Sequence, residues 1–236
     1  MNPITVETKV GEIVRAVPAR SRVFEDLGID YCCGGRKALG DACREKGLDP
    51  GTVLARLTAL DAEPQGTPGH PDAMTLSELC ENIERTHHDY LREELPRLDY
   101  MTRKVAAVHG DHEPRLREVR RVFESFQTEI TSHTREEEER VFPAIRQLES
   151  GGGDSASVVS SLQAAVSKLE LEHQAAGAAL ERFAELTDRH TPPDWACNTF
   201  RAMYDALARL ERNMHQHVHK ENNVLFPRAL ARRGPA

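Results

Sequence analysis

A chain of 236 residues, 39 % hydrophobic and 29 % charged, is long enough to bury a sizeable core in one or two domains. None of its apolar runs approaches the ~20 residues of a membrane span, and a net charge of -7 argues against nucleic acid as the main partner. The N-terminus, MNPITVETKV, has no signal-peptide pattern, and five cysteines, two of them adjacent, make a poor disulfide framework and point to a reducing cytoplasm.

In chain order, an apolar-periodic stretch from Val6 to Val17 is followed by a second from Ser21 to Leu27. The segment Asp30-Tyr-Cys-Cys-Gly-Gly35 comes next, then a helix expected over Arg36 to Lys46. A last short helix is expected from Asp49 to Leu60, capped by Asp49 with Pro50 in its first turn. Residues 61–73, DAEPQGTPGHPDA, have the proline and glycine content of a linker. The expected division is a small helical domain over 1–62, a linker over 63–73 and a bundle over 74–236. Within the last part, breaks at Gly110–Pro114, Ser150–Asp154 and Thr191–Asp194 separate helical patterns of roughly 75–109, 115–149, 155–190 and 194–232. Short breaks between long amphipathic helices make neighbours antiparallel, so the expected class is all-α, an up-down-up-down four-helix bundle preceded by a small helical domain, with no sheet.

An internal repeat gives the bundle its chemistry. His217-Val-His-Lys-Glu221, followed by Asn-Asn-Val-Leu-Phe-Pro227, repeats the spacing of His133-Thr-Arg-Glu-Glu137, followed by Glu-Glu-Arg-Val-Phe-Pro143, 84 residues earlier. His88 precedes one copy by 45 residues and His173 precedes the other by 44. On a helix, positions i and i+4 share a face. Counted from the first break near residue 110, His88 and His133 lie about equally far back, ~33 Å at the helical rise. From the second, near 152, His133 and His173 lie 19 and 21 residues away; from the third, 19 and 25 separate His173 and His217, so that loop is expected to be longer than drawn.

Four histidines and two carboxylates at one level make a two-metal site. Each metal takes two imidazoles, and Glu137 and Glu221 each bridge the pair. Mixed imidazole and carboxylate ligation with open positions suits iron, with manganese or zinc as the alternatives. Glu136, Glu138 and Glu139 read as a solvated face, and the second copy singles out Glu137, because the position equivalent to Glu136 is Lys220. His87, His215 and His219 point ~100° or more away from the ligand candidates and read as surface or supporting groups. His109, ~31 Å from His88 along one helix, belongs with His112 to the first turn.

The paired HxxxE motifs, the ending ENNVLFPRAL over Glu221–Leu230 and DYCCGG over Asp30–Gly35 resemble the repair-of-iron-centres family of hemerythrin-like di-iron proteins, over nearly the whole chain. Carried over by motif, the ligands are His88, His133, Glu137, His173, His217 and Glu221, the six that the spacing selects. The resemblance implies a carboxylate-bridged centre of two iron ions per chain. It also implies help in restoring iron-sulfur clusters damaged by nitric oxide or peroxide, with iron supplied from that centre, in bacterial cytoplasm. The partners are then damaged iron-sulfur proteins, with nitric oxide or oxygen species as small ligands, no nucleic acid and no membrane, and a homodimer as the oligomer allowed for. The alternative is a protein that binds or reduces nitric oxide. Cys32 and Cys33 are the candidates for thiol redox or transfer chemistry. A helix starting at Arg36-Lys37 is expected to lower their pKa values through its dipole and two cations. Cys43, Cys80 and Cys197 read as core.

Overall fold

The computed structural model describes residues 3–60, 70–151 and 155–232, and it is helical throughout. Among these residues the nearest approach to a sheet is an isolated antiparallel bridge between Lys9 and Ala38. By packing, the chain forms two compact units, one from residues 1–80, 145–163 and 215–236, the other from 81–144 and 164–214. Residues 61–69, which include most of the expected linker, lie outside the described residues.

In the first unit, four short helices come first: α1 (Val10–Ala16), α2 (Ser21–Leu27), α3 (Leu39–Glu45) and α4 (Pro50–Thr58). Gly28 ends α2 in the left-handed conformation, at φ 64°, and Ile29 N–H closes back onto Phe24 O at 2.9 Å, a Schellman stop. Asp49 starts α4 as expected, accepting from Thr52 N–H at 2.8 Å. α3 begins at Leu39 rather than Arg36, because Lys37 N–H is bound to Gly34 O in a tight turn. Further on, α5 (Leu76–Ile83) opens with a capping box, Glu78 N–H to Thr75 Oγ1 and Thr75 N–H to Glu78 Oε2. The carboxylate of Glu149 adds a second cap, accepting from Leu76 and Ser77 N–H, both at 2.8 Å. Val10, Ile13, Phe24, Tyr31, Leu39 and Leu57 are buried here, with Leu79, Ile145, Val224 and Phe226 from later in the chain.

The remaining helices are α6 (Asp89–His109), α7 (Arg115–Glu136), α8 (Phe142–Glu149), α9 (Ser155–Leu186), α10 (Asn198–Lys220) and α11 (Phe226–Leu230). Three π turns join neighbours without a break: Glu84–His88 between α5 and α6, Glu137–Val141 between α7 and α8, and Glu221–Leu225 between α10 and α11. Each long helix buries one stripe at alternating steps of three and four, the signature of a bundle helix. In α7 the stripe is Leu116, Val119, Phe123, Phe126 and Ile130, and in α10 it is Phe200, Met203, Leu207, Leu210 and Met214. In the second unit α6 and α7 pack as neighbours, locked by Arg120, which donates to the Asp99 carboxylate at 2.7 Å and to Thr102 Oγ1 at 3.0 Å.

The third break is indeed longer than its sequence pattern suggested, since α9 ends at Leu186 and α10 starts at Asn198. Asp188, Arg189 and His190 all have positive φ, 50–59°, an uncommon conformation for residues other than glycine, though one that Asp and His tolerate best. Tertiary contacts hold it: Arg115 pairs with both carboxylate oxygens of Asp188 at 3.0 Å, and His190 pairs with Glu211 at 2.6 Å.

Candidate metal centre

The helical stripes carry the candidate ligands inward. Continued by the same three-and-four steps, α7's stripe runs from Ile130 to His133 and Glu137, and α10's runs from Met214 to His217 and Glu221. His173 falls between Leu169 and Ala176 on the stripe of α9, and His88 lies three residues before Leu91 on that of α6. These polar residues therefore occupy core positions, and all six are 0–4 % exposed. Burying two carboxylates this deeply is costly unless cations compensate them.

Around Glu137 the imidazoles come close. Its Oε1 faces His133 Nε2 at 3.2 Å and its Oε2 faces His88 Nε2 at 3.4 Å, so the two oxygens serve different imidazoles. His173 Nε2 lies 3.0 Å from His133 Nε2, and His217 Nε2 lies 3.1 Å from Glu221 Oε1. Ligand atoms at right angles and ~2.1 Å from one ion are ~3 Å apart, which these spacings match. In the second unit His88, His133, Glu137 and His173 thus stand together, and in the first His217 and Glu221 form a pair of their own. Buried carboxylate oxygens beside imidazole nitrogens are the donor set of a cation site, and these residues fit one.

Carboxylates on the far side of the rings fix the tautomers. His88 Nδ1–H donates to Glu138 at 2.7 Å and His133 Nδ1–H donates to Glu172 at 2.8 Å, which leaves each Nε2 lone pair directed inward. Burial pushes the Glu138 carboxyl up, but hydrogen bonds from Arg92 and His88 outweigh it and hold Glu138 below its ordinary range. Glu172 is likewise held low against its burial, by His133 and Lys168. Reading the whole acid run apart from Glu137 as a solvated face was therefore wrong for Glu138. The sequence signal that could have found it is Arg92, four residues after His88, which donates to Glu138 at 2.7 Å. The Phe142 ring stacks on His88 at 5.7 Å between centroids.

Each π turn places a candidate ligand at one of its ends, a frequent setting for functional sites. Phe142 N–H bonds to Glu137 O and Phe226 N–H bonds to Glu221 O. In both copies the next residue is a proline, Pro143 or Pro227, which lacks an N–H and crowds the carbonyl four residues back. The repeated Phe-Pro thus accounts for a wide turn at both glutamates.

The neighbouring histidines divide. His87 is buried, not at the surface, with Nδ1 3.1 Å from Asn213 Oδ1. His219 is buried too, its ring 5.5 Å from that of Tyr31, and burial pushes its pKa down to about 4. His109 stands in the turn as expected, its Nε2 3.3 Å from Cys197 Sγ. Cys197 is exposed, contrary to a core reading, because it sits in the loop just before α10, whereas Cys43 and Cys80 are buried.

The thiol pair also departs from expectation. Cys32 is buried and Cys33 half-exposed, with the sulfurs 3.9 Å apart. The Cys32 thiol is raised rather than lowered, by its hydrogen bond to Cys33, by burial and by the nearby Asp30 carboxylate. With α3 starting six residues after Cys33, its dipole is too distant to act.

A helical fold with paired, buried histidines and glutamates is that of the hemerythrin class. The hemerythrin HHE cation binding domain family matches residues 81–229, and a domain of unknown function, DUF542, matches residues 6–61. The chain is 34 % identical over 225 residues to the iron-sulfur cluster repair protein ScdA of Staphylococcus haemolyticus, covering 94 % of this chain and 98 % of that one. It is 35 % identical to the iron-sulfur cluster repair protein YtfE of Yersinia pseudotuberculosis and 36 % identical to that of Musicola paradisiaca, covering 94 % and 95 % of this chain and 96 % of each relative. The chain belongs to the repair-of-iron-centres family of hemerythrin-like proteins.

Proposed function

We propose that the protein holds two iron ions between His88, His133, Glu137, His173, His217 and Glu221 and donates iron to iron-sulfur clusters damaged by oxidative or nitrosative stress in the cytoplasm. The observation that carries this reading is the buried Glu137 carboxylate, whose two oxygens face different imidazoles, in a chain whose relatives bear the name of cluster repair proteins. Imidazole and carboxylate oxygen suit ferrous iron without the grip of thiolates. Two carboxylates leave the four positive charges of two ferrous ions half balanced. Such a site stores iron and can release it. Glu138 and Glu172 keep His88 and His133 oriented with Nε2 inward throughout. The division into a thiol-bearing N-terminal domain and a metal-holding bundle belongs to the same reading, with Cys32 and Cys33 serving the transfer.

A second reading, a protein that binds or reduces nitric oxide, is favoured by one observation. A cavity of about 380 Å³ reaches His133 and His173 past Phe126, Ile130, Ala175 and Ala176, with Thr128, Glu129, Ser132 and Glu172 also on its wall, a mostly apolar lining suited to a small neutral molecule. Protein labelled with an iron isotope, incubated with a nitric-oxide-damaged cluster enzyme and then separated by gel filtration, decides between the two. Donation predicts label in the reactivated enzyme in proportion to recovered activity. Reactivation without label, with the bundle still holding its iron, would overturn the donor reading in favour of the second.

A further inference from the structure

Apart from the bundle's six residues, one other set of ligand atoms converges among the described residues. Asp30, Cys32 and Cys33 bring a carboxylate oxygen and two sulfurs within 4.8 Å of one another. The loop is built to hold them. Asp30 Oδ1 accepts from the N–H groups of Cys32 at 2.9 Å and Cys33 at 3.0 Å, and Oδ2 accepts from Gly34 N–H at 2.8 Å. Cys32 Sγ lies 3.1 Å from the same Oδ1.

The spacing of the sulfurs is informative. At 3.9 Å they are far outside the ~2.05 Å of a disulfide. Two sulfurs bound tetrahedrally to one ion at ~2.3 Å stand ~3.8 Å apart, close to the distance seen. The two reduced thiols, in hydrogen-bond contact, thus already stand at a separation that one ion could span.

The floor beneath the loop is closely packed. Asn223 Nδ2 donates to Cys32 O at 3.0 Å, from within the π turn that begins at Glu221. A Cβ on Gly35 would fall 2.3 Å from Asn223 Oδ1, and one on Gly11 would fall 2.4 Å from the same atom. Only glycine at both positions lets Asn223 seat here. Cys32 is thus fixed from below, while Cys33 is half-exposed and Asp30 exposed, so the cluster opens on one side.

We propose that Asp30, Cys32 and Cys33 form a separate site for a single divalent cation of iron or zinc type, with its open side free to take a ligand from another protein. Binding is not a redox step. One M²⁺ enters, two thiol protons leave to solvent, and the two thiolates and the carboxylate donate their electron pairs to the metal. Such a site rests on the donor reading for its use: it is a place where an ion released by the bundle can wait, and an incoming thiolate of the acceptor can displace one cysteine to take it.

The test uses the full chain, already loaded with iron and kept anaerobic, titrated with Co²⁺ as probe. The site predicts a thiolate-to-cobalt charge-transfer absorption that saturates at one cobalt per chain, and alkylation of Cys32 and Cys33 slowed about tenfold or more by the metal. Cys33→Ser, at a half-exposed position, should remove most of the absorption. Asp30→Asn, which keeps an acceptor for the loop's N–H groups, should weaken cobalt binding by about tenfold without loss of helical circular dichroism. Absence of the charge-transfer band, or alkylation unaffected by cobalt in a folded chain, would overturn the proposal. Cobalt binding with no isotope transfer to a damaged enzyme would instead overturn the donor reading and leave this site standing.

Discussion

His88, a proposed metal ligand, shows how much of such a residue's role lies in its neighbours. Its Nε2 faces Glu137, but the ring stays in that pose because Glu138 takes its Nδ1 proton and Phe142 covers its face. A carboxylate in that place fixes both tautomer and orientation. Glu138→Ala should therefore weaken metal binding by about 10–100-fold, the usual cost of losing such a partner, while the bundle stays folded. A competition titration against a chelator of known affinity measures it. An unchanged affinity would mean that His88 needs no orienting group. Glu139, one residue on, is exposed and serves as the control.

At the scale of elements, the helix starts are held by side chains distant in sequence as well as by local caps. Glu149 covers the first N–H groups of α5 from 72 and 73 residues away. Burial raises this carboxyl, but the hydrogen bonds from Ser77 and Leu76 and the charge of Arg232 outweigh it, and its pKa lies below the ordinary value. A carboxylate depressed in the folded state contributes stability that is present above its unfolded pKa, ~4.3, and is lost as pH falls through the folded value. Glu149→Gln should thus cost about 1 kcal/mol at pH 7, and the gap from the parent should close below about pH 4. Denaturant melts of both metal-free chains at the two pH values check this, since titrations common to both cancel. A gap that stayed constant at low pH would show that charge is not the source.

Across the whole molecule, the parts legible in the sequence are those governed by period. The helical stripes repeat by threes and fours, so four inward faces and the six polar residues on them could be read from spacing. The long third loop could only be suspected from depth, because three positive-φ residues there are held by Arg115 and Glu211, contacts that no local pattern announces. Glu138 and Asn223 were missed for the same reason. One looks like any solvated acid and the other like any turn residue, until the fold brings His88 and the Cys32 carbonyl to them. The exposure of Cys197 follows from where α10 starts, a boundary set by tertiary contacts.

The claim on which the rest depends is that Glu137 and Glu221 each hold both metals. Iron per chain, measured by elemental analysis after anaerobic loading and desalting, tests it most directly in the parent, Glu137→Leu, Glu221→Leu and His109→Ala. Two irons in the parent and in His109→Ala are predicted, with the loss of both ions in each glutamate variant, because a bridge removed loosens the pair together. Two irons retained in both glutamate variants, with helical circular dichroism unchanged, would contradict it.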